Sequence, residues 1–361
     1  MSSRSPSHPS SPSTSPSTSP STSPSTSPST SSSTSPSSQD SPPPHAEASL
    51  HNHDDAHAGL ERVIKHLERI KAFTAHTGND LGAKRTLLEA YFAADASILD
   101  TGVTPHLAMV PGGEGERVCE VLPAPDDAPA RPRRLLYVHG GSWIAGSPAG
   151  HRPLASRLGR AARAETYTLD YRLAPEAAFP AGLQDVLAAW RWLCDEYPQD
   201  HLLLAGDSAG GNLTLAALNA LKSAGERLPD AVIAFSPATD LSWGSASLSR
   251  KAEVDPILDP NLLPFVSMAY VQDGTDMSDP RISPLEGNLF DLPPTLIQCG
   301  EAEILLDDSR RYATQAQDCG SPVTLSLWPD MPHVFVGFAP LLSAANAALK
   351  EAREFLDETL A

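Results

Sequence analysis

One segment limits what this chain can fold into more than any other: Leu202-Leu-Leu-Ala-Gly206-Asp-Ser208-Ala-Gly210-Gly211-Asn-Leu213. Its opening apolar run reads as a buried strand, and the apolar residues after Gly211 recur at helical spacing. Passing from strand to helix in so few residues needs a turn that presses backbone against backbone. Glycine at 206 and 210 suits such a turn, because a Cβ at either position would meet its neighbours. Ser208, at the apex, is expected to take a strained conformation that exposes its Oγ at the helix N-terminus, where unpaired amides add positive potential. Gly-x-Ser-x-Gly arises often by chance; the strand before it and the helix after it give it weight here.

The rest of the chain repeats this texture. Short apolar runs predict strands at 118–122, 135–139, 165–169, 202–205, 232–235, 295–299 and 324–328, with helices at 183–196, 213–224, 309–317 and 341–360. Such alternation predicts βαβ units and an α/β fold with a mostly parallel central sheet flanked by helices. Upstream, Leu60, Val63, Ile64, Leu67, Ile70 and Phe73 form one apolar helical stripe, and Leu87, Leu88, Tyr91 and Phe92 indicate a second helix. A long segment with Pro256, Pro260, Pro264, Pro280 and Pro284 breaks the rhythm, and a stretch of that length usually lines or covers a site. The reading is therefore a domain over 58–361 with a helical cap formed by about 58–100 and 241–290.

Residues 1–57 cannot contribute a core. From Ser11 the unit Ser-Pro-Ser-Thr recurs without a large apolar side chain, so this tail is expected to be disordered. It lacks the charged-then-apolar pattern of a secretory signal, and its one basic residue, Arg4, does not suit a transit peptide. His45, His51, His53 and His57 with Asp54 and Asp55 invite a metal guess, but they lie in that tail without ligand spacing, so no metal site is expected. A formal net charge of -18 repels phosphate backbones and anionic membranes, so no nucleic acid partner is expected. No apolar run is long enough for stable membrane insertion. Cys119, Cys194, Cys299 and Cys319 show no CxxC pattern and read as reduced, mostly buried thiols, consistent with a cytoplasmic protein.

A serine hydroxyl is a weak nucleophile until a base takes its proton, and the base needs an acid to orient it. His333, in the loop Trp328-Pro-Asp-Met-Pro-His333 after the last predicted strand, is the candidate base. The segment after strand 295–299 offers several carboxylates, of which Glu303 is preferred and Asp307 is the rival. Asp307 has an alternative use as a cap or dipole partner of the following helix. Upstream, the strand ending at His139 runs into Gly140-Gly141-Ser142-Trp143, a loop whose amides can approach a substrate oxygen.

Together, His139-Gly-Gly-Ser-Trp143, Asp170-Tyr-Arg-Leu-Ala-Pro-Glu176, Gly206-Asp-Ser-Ala-Gly-Gly211 and the His333 loop resemble the bacterial hormone-sensitive-lipase family of carboxylesterases, family IV. The resemblance implies an α/β-hydrolase fold, a helical cap, a small-molecule ester substrate with a short or medium acyl chain, and no cofactor. It assigns Ser208 as nucleophile, His333 as base and Glu303 as acid, with oxyanion-hole amides from Gly141, Ser142 and Ala209. Many members have Asp where Glu303 stands, and a third Gly where Ser142 stands. The second departure matters only if Ser142 needs a positive φ. Arg172 and Glu176 are expected to pair behind the site. Trp143, Leu263, Phe265 and Met268 are candidate pocket walls, the last three equally suited to the cap's own core. The same triad also serves lactonases, amidases and deacetylases, while a non-catalytic receptor on this fold is disfavoured because Ser208, His333 and an acid occur together. A homodimer is compatible with the sequence.

Overall fold

The computed structural model describes residues 44–361 apart from 79 and 273. The Ser-Pro-Ser-Thr repeat lies outside the described residues, as do the side chains of His45, His51 and His53. The chain forms α1 (Pro44–His76), α2 (Leu81–Glu89), α3 (Ala96–Leu99), β1 (His106–Pro111), β2 (Glu116–Leu122), β3 (Arg133–Val138), α4 (Pro148–Ala162), β4 (Glu165–Leu169), α5 (Ala181–Glu196), β5 (His201–Asp207) and α6 (Ser208–Ala224). It continues through β6 (Ala231–Phe235), α7 (Ser247–Arg250), α8 (Leu263–Tyr270), β7 (Thr295–Gly300), α9 (Leu306–Asp318), β8 (Val323–Trp328) and α10 (Ser343–Thr359). Helix α1 begins at Pro44, upstream of the boundary at 57 expected from composition.

The strands form one sheet in the order β1-β2-β4-β3-β5-β6-β7-β8. β2 pairs antiparallel with β1 and β4, and the remaining neighbours pair in parallel. Period-two alternation divides each strand between two cores: Leu136, Val138, Leu202 and Leu204 pack under α5, α6 and α9, while Leu135, Tyr137, Leu203 and Ala205 pack under α4 and α10. Val63, Leu67 and Ile70 of α1 join the second core, whereas Phe73 of the same stripe is exposed. β1 was not among the predicted strands. It is an edge strand whose Leu107 and Met109 face solvent, so its sequence lacks the buried-face signal.

From β3 the chain passes to β4 on one side and then to β5 on the other. The loops leaving the carboxyl ends of β3 and β5 therefore open into the crevice where the strand order reverses, the usual ligand position in open α/β sheets. Among the described residues, no helix is long and apolar enough to cross a membrane.

Candidate active site

β5 delivers Asp207, and α6 begins directly at Ser208. Ser208 has φ +54, a left-handed conformation that side chains rarely adopt, so the turn holds it under strain with its hydroxyl at the crevice. The two glycines are required by contact: a Cβ on Gly206 would collide with the Gly210 carbonyl, and one on Gly210 with the Val138 carbonyl.

Three side chains from three different loops meet here. His333 Nε2 lies 2.9 Å from Ser208 Oγ, and His333 Nδ1 lies 3.2 Å from Glu303 Oε1. Ser236, at the end of β6, donates to Glu303 Oε2 at 2.7 Å and accepts from the Val334 amide at 3.1 Å, tying the acid to the histidine loop. Tyr91 donates to the His333 carbonyl at 2.6 Å. Burial alone would lower the His333 pKa, but the Glu303 carboxylate, reinforced by Asp255 and Asp207, outweighs it and holds the imidazole above its ordinary value. Asp307 stands elsewhere. It accepts from the Ser247 amide at 2.9 Å and pairs with Arg250, so it ties α7 to the first turn of α9; of the two roles the sequence offered it makes no capping hydrogen bond but does stand as an acid in the first helical turn, where it complements the helix dipole.

The loop after β3 curls past Ser208 with Gly141 at φ +118, Ser142 at +56 and Trp143 at +60. Ser142 therefore does occupy the conformation that favours glycine. Among the described residues, the backbone amides of Gly141 and Ser142 donate to no protein acceptor, and the Ala209 amide sits in the first turn of α6, where helix amides lack intrahelical partners. The anchor of this loop, overlooked in the sequence, is Asp207. Its buried carboxylate accepts from the Gly140 amide at 3.0 Å and from Tyr137 at 2.5 Å, and faces His151 Nε2 at 3.5 Å. Burial would raise the Asp207 carboxyl, but His151 and Tyr137 hold it below the usual carboxylate range. Replacing Asp207 by Ala should thus leave the buried His151 ring without its carboxylate partner and free the loop. We expect a stability loss of about 3 kcal/mol in urea unfolding, and a fall in kcat on the order of 10²-fold from misplaced oxyanion donors.

Two cavities that share lining residues lie beside these groups. A small one of about 50 Å³ is lined by Gly141, Ser142, His151, Ser208 and His333 among others. A larger one of about 350 Å³ lies between α1, α2 and the 257–269 segment. Ser142, Leu88, Ile257 and Leu258 border both. Leu263 and Phe265 line the larger cavity. Trp143 and Met268 line neither of these two cavities: Trp143 is buried and stacked on Tyr270 with ring centroids 4.8 Å apart, and Met268 is 58% exposed.

The chain matches the family described as alpha/beta hydrolase fold over residues 135–337. It is 43% identical over 283 residues to the acetyl-hydrolase of Streptomyces hygroscopicus, covering 78% of this chain and 91% of that one. It is 31% identical over 245 residues to the ethyl acetate hydrolase of Pseudomonas putida, covering 66% and 77%. An esterase structure from the bacterial hormone-sensitive lipase family matches with a TM-score of 0.76 and 35% identity, over 84% of this chain and 99% of that one. The chain belongs to the hormone-sensitive-lipase family of carboxylic ester hydrolases.

In this esterase the segment after β4 is wired differently from the expected Arg172–Glu176 pair. Arg172 binds Asp185 of α5 through two nitrogens, its Nη2 at 2.9 Å, while Glu176 takes a bidentate pair from Arg85 of α2 at 2.7 and 2.8 Å. Arg85 also donates to the Ile144 carbonyl, so it straps α2 to the loop after β3. Residues four apart in a loop need not face one another, and each found a partner on a helix. Of the four free cysteines, Cys119 and Cys299 are buried, Cys194 is half-buried and Cys319 is exposed.

Proposed function

We propose that this esterase hydrolyses short- to medium-chain carboxylic esters through an acyl-enzyme on Ser208, with His333 as general base and Glu303 as its orienting acid. The observation that carries this reading is the 2.9 Å contact between His333 Nε2 and the Oγ of a serine held at φ +54. His333 takes the Ser208 proton as Oγ attacks the ester carbonyl, and the amides of Gly141, Ser142 and Ala209 face the developing oxyanion. The alcohol leaves with the proton from His333; water, deprotonated by His333, then releases the acid and restores Ser208.

The chain-length reading is supported by the small compartment beside Ser208 and by the names of the two relatives, acetyl-hydrolase and ethyl acetate hydrolase. Helices α1–α3 and the 241–290 segment act as the cap, a reading supported by the residues of α1, α2 and 257–269 that line the larger cavity. A series of p-nitrophenyl esters from acetate to palmitate tests the proposal: kcat/KM should be highest among the short and medium chains, and a maximum at palmitate overturns it. We further propose a cytoplasmic location, supported by four free cysteines. A homodimer is compatible with this reading and would show as a doubled mass in sedimentation.

The proton held on His333 sets the pH response. Its pKa is raised above 6.5, and only the neutral imidazole can accept the serine proton. Hence kcat/KM should fall as pH drops, with its midpoint above 6.5. The residual activity of Glu303→Gln should titrate lower, because the largest charge that raises the imidazole is gone. A midpoint unmoved by that substitution would contradict the coupling.

A further inference from the structure

We propose that the larger cavity selects esters that carry a carboxylate remote from the scissile bond, bound by Lys84, Lys71 and Thr74; the proposal rests on the ester-hydrolase reading of Ser208. The cavity is otherwise strongly apolar, walled by Leu81, Leu88, Ile257, Leu258, Leu263 and Val266. Its charged lining consists of Lys71, Lys84 and Asp259. Lys71 and Thr74 lie three residues apart on α1, and Lys84 lies four residues before Leu88 on α2, so each pair shares a helical face. Leu88 borders the compartment of Ser208, which puts Lys84 about one helical turn, roughly 5 Å, further out along the cavity wall.

The hydrogen-bonding inventory of this corner is incomplete. Thr74 Oγ1 is buried and has no partner, an arrangement that native structures avoid unless a ligand, ion or water completes it. Lys71 donates to the Asp255 carbonyl at 2.8 Å, which leaves two of its three ammonium donors uncommitted. Lys84 has no ion pair or side-chain hydrogen bond among the described residues. The opposing charge, Asp259, already accepts from the Asn261 amide and side chain at 2.9 Å each. Two cations and an unpaired hydroxyl facing an apolar space match a carboxylate on a hydrocarbon spacer. The local sign is also opposite to the chain's net charge of -18, so this corner is not part of a generally basic surface.

The test compares kcat/KM for isosteric pairs at low ionic strength. Monoethyl glutarate and monoethyl adipate against ethyl pentanoate and ethyl hexanoate put the charge on the acyl side. Acetoxybutanoate and acetoxyhexanoate against butyl and hexyl acetate put it on the alcohol side. At least one charged series should exceed its neutral partner, mainly through KM, by about tenfold, and the advantage should shrink as salt is added. Lys84→Gln should lower the charged-to-neutral ratio by about tenfold, Thr74→Val should lower it less, and Lys84→Arg should restore most of it. Neutral esters preferred in both series, or a ratio unmoved by Lys84→Gln, overturns the proposal. Failure of the wild type on the neutral esters themselves would strike the underlying esterase reading instead, and the neutral arm reports that separately.

Discussion

Ser208→Ala is expected to lower kcat for a short-chain ester on the order of 10⁶-fold, the loss seen when the nucleophile of a serine triad is removed. The substitution is clean because Ala and Ser carry the same Cβ, so the strained conformation at φ +54 is no more costly for one than for the other. Among the described residues, Ser208 Oγ makes its side-chain hydrogen bond only to His333 Nε2, a half-buried contact at the edge of the crevice. Thermal unfolding of the variant should therefore stay near that of the wild type. Retained turnover in a folded variant would remove the acyl-enzyme from consideration; collapse of the fold would be repeated with Ser208→Gly, which relieves the backbone strain.

Glu303→Gln is expected to reduce kcat by about 10⁴-fold, by analogy with the loss of a triad carboxylate that leaves the imidazole in the wrong tautomer. Glu303 is fully buried, with one oxygen at the His333 ring and the other receiving Ser236. Gln fills the same volume, but an amide that presents its NH₂ to Nδ1 selects the tautomer with its proton on Nε2, facing the serine. Asp307→Asn should instead leave turnover nearly intact and cost about 1 kcal/mol of stability, because it weakens a half-exposed pairing with Arg250 and the tie to the Ser247 amide. Matched kinetics and urea unfolding on the two variants decide between the carboxylates: near-normal turnover in Glu303→Gln with a collapse in Asp307→Asn would reverse the roles.

The apolar runs of β3, β5 and β7, the turn chemistry around Ser208 and the glycine-rich loop after β3 were all legible in the chain, because strand period, helix period and tight turns are local properties of a few consecutive residues. Their order in the sequence also sufficed to name Ser208, Glu303 and His333 as candidates. What local pattern could not supply was partnership. Arg172 turned to Asp185 and left Glu176 to Arg85, a residue 91 positions away. Asp207 carried no role in the sequence pattern, yet it anchors the Gly140 amide from 67 positions away. Trp143 was a candidate pocket wall, but stacking on Tyr270 took it into the core. β1 escaped detection because an edge strand with solvent-facing Leu107 and Met109 is defined by its pairing with β2 and not by its own pattern. The sequence by itself determined the elements and the chemistry available at their ends. Only the tertiary structure decided which distant charges neutralise one another and which, such as Lys84 and the Thr74 hydroxyl, are left facing the cavity, since desolvation and hydrogen-bond satisfaction depend on neighbours that folding brings from elsewhere in the chain.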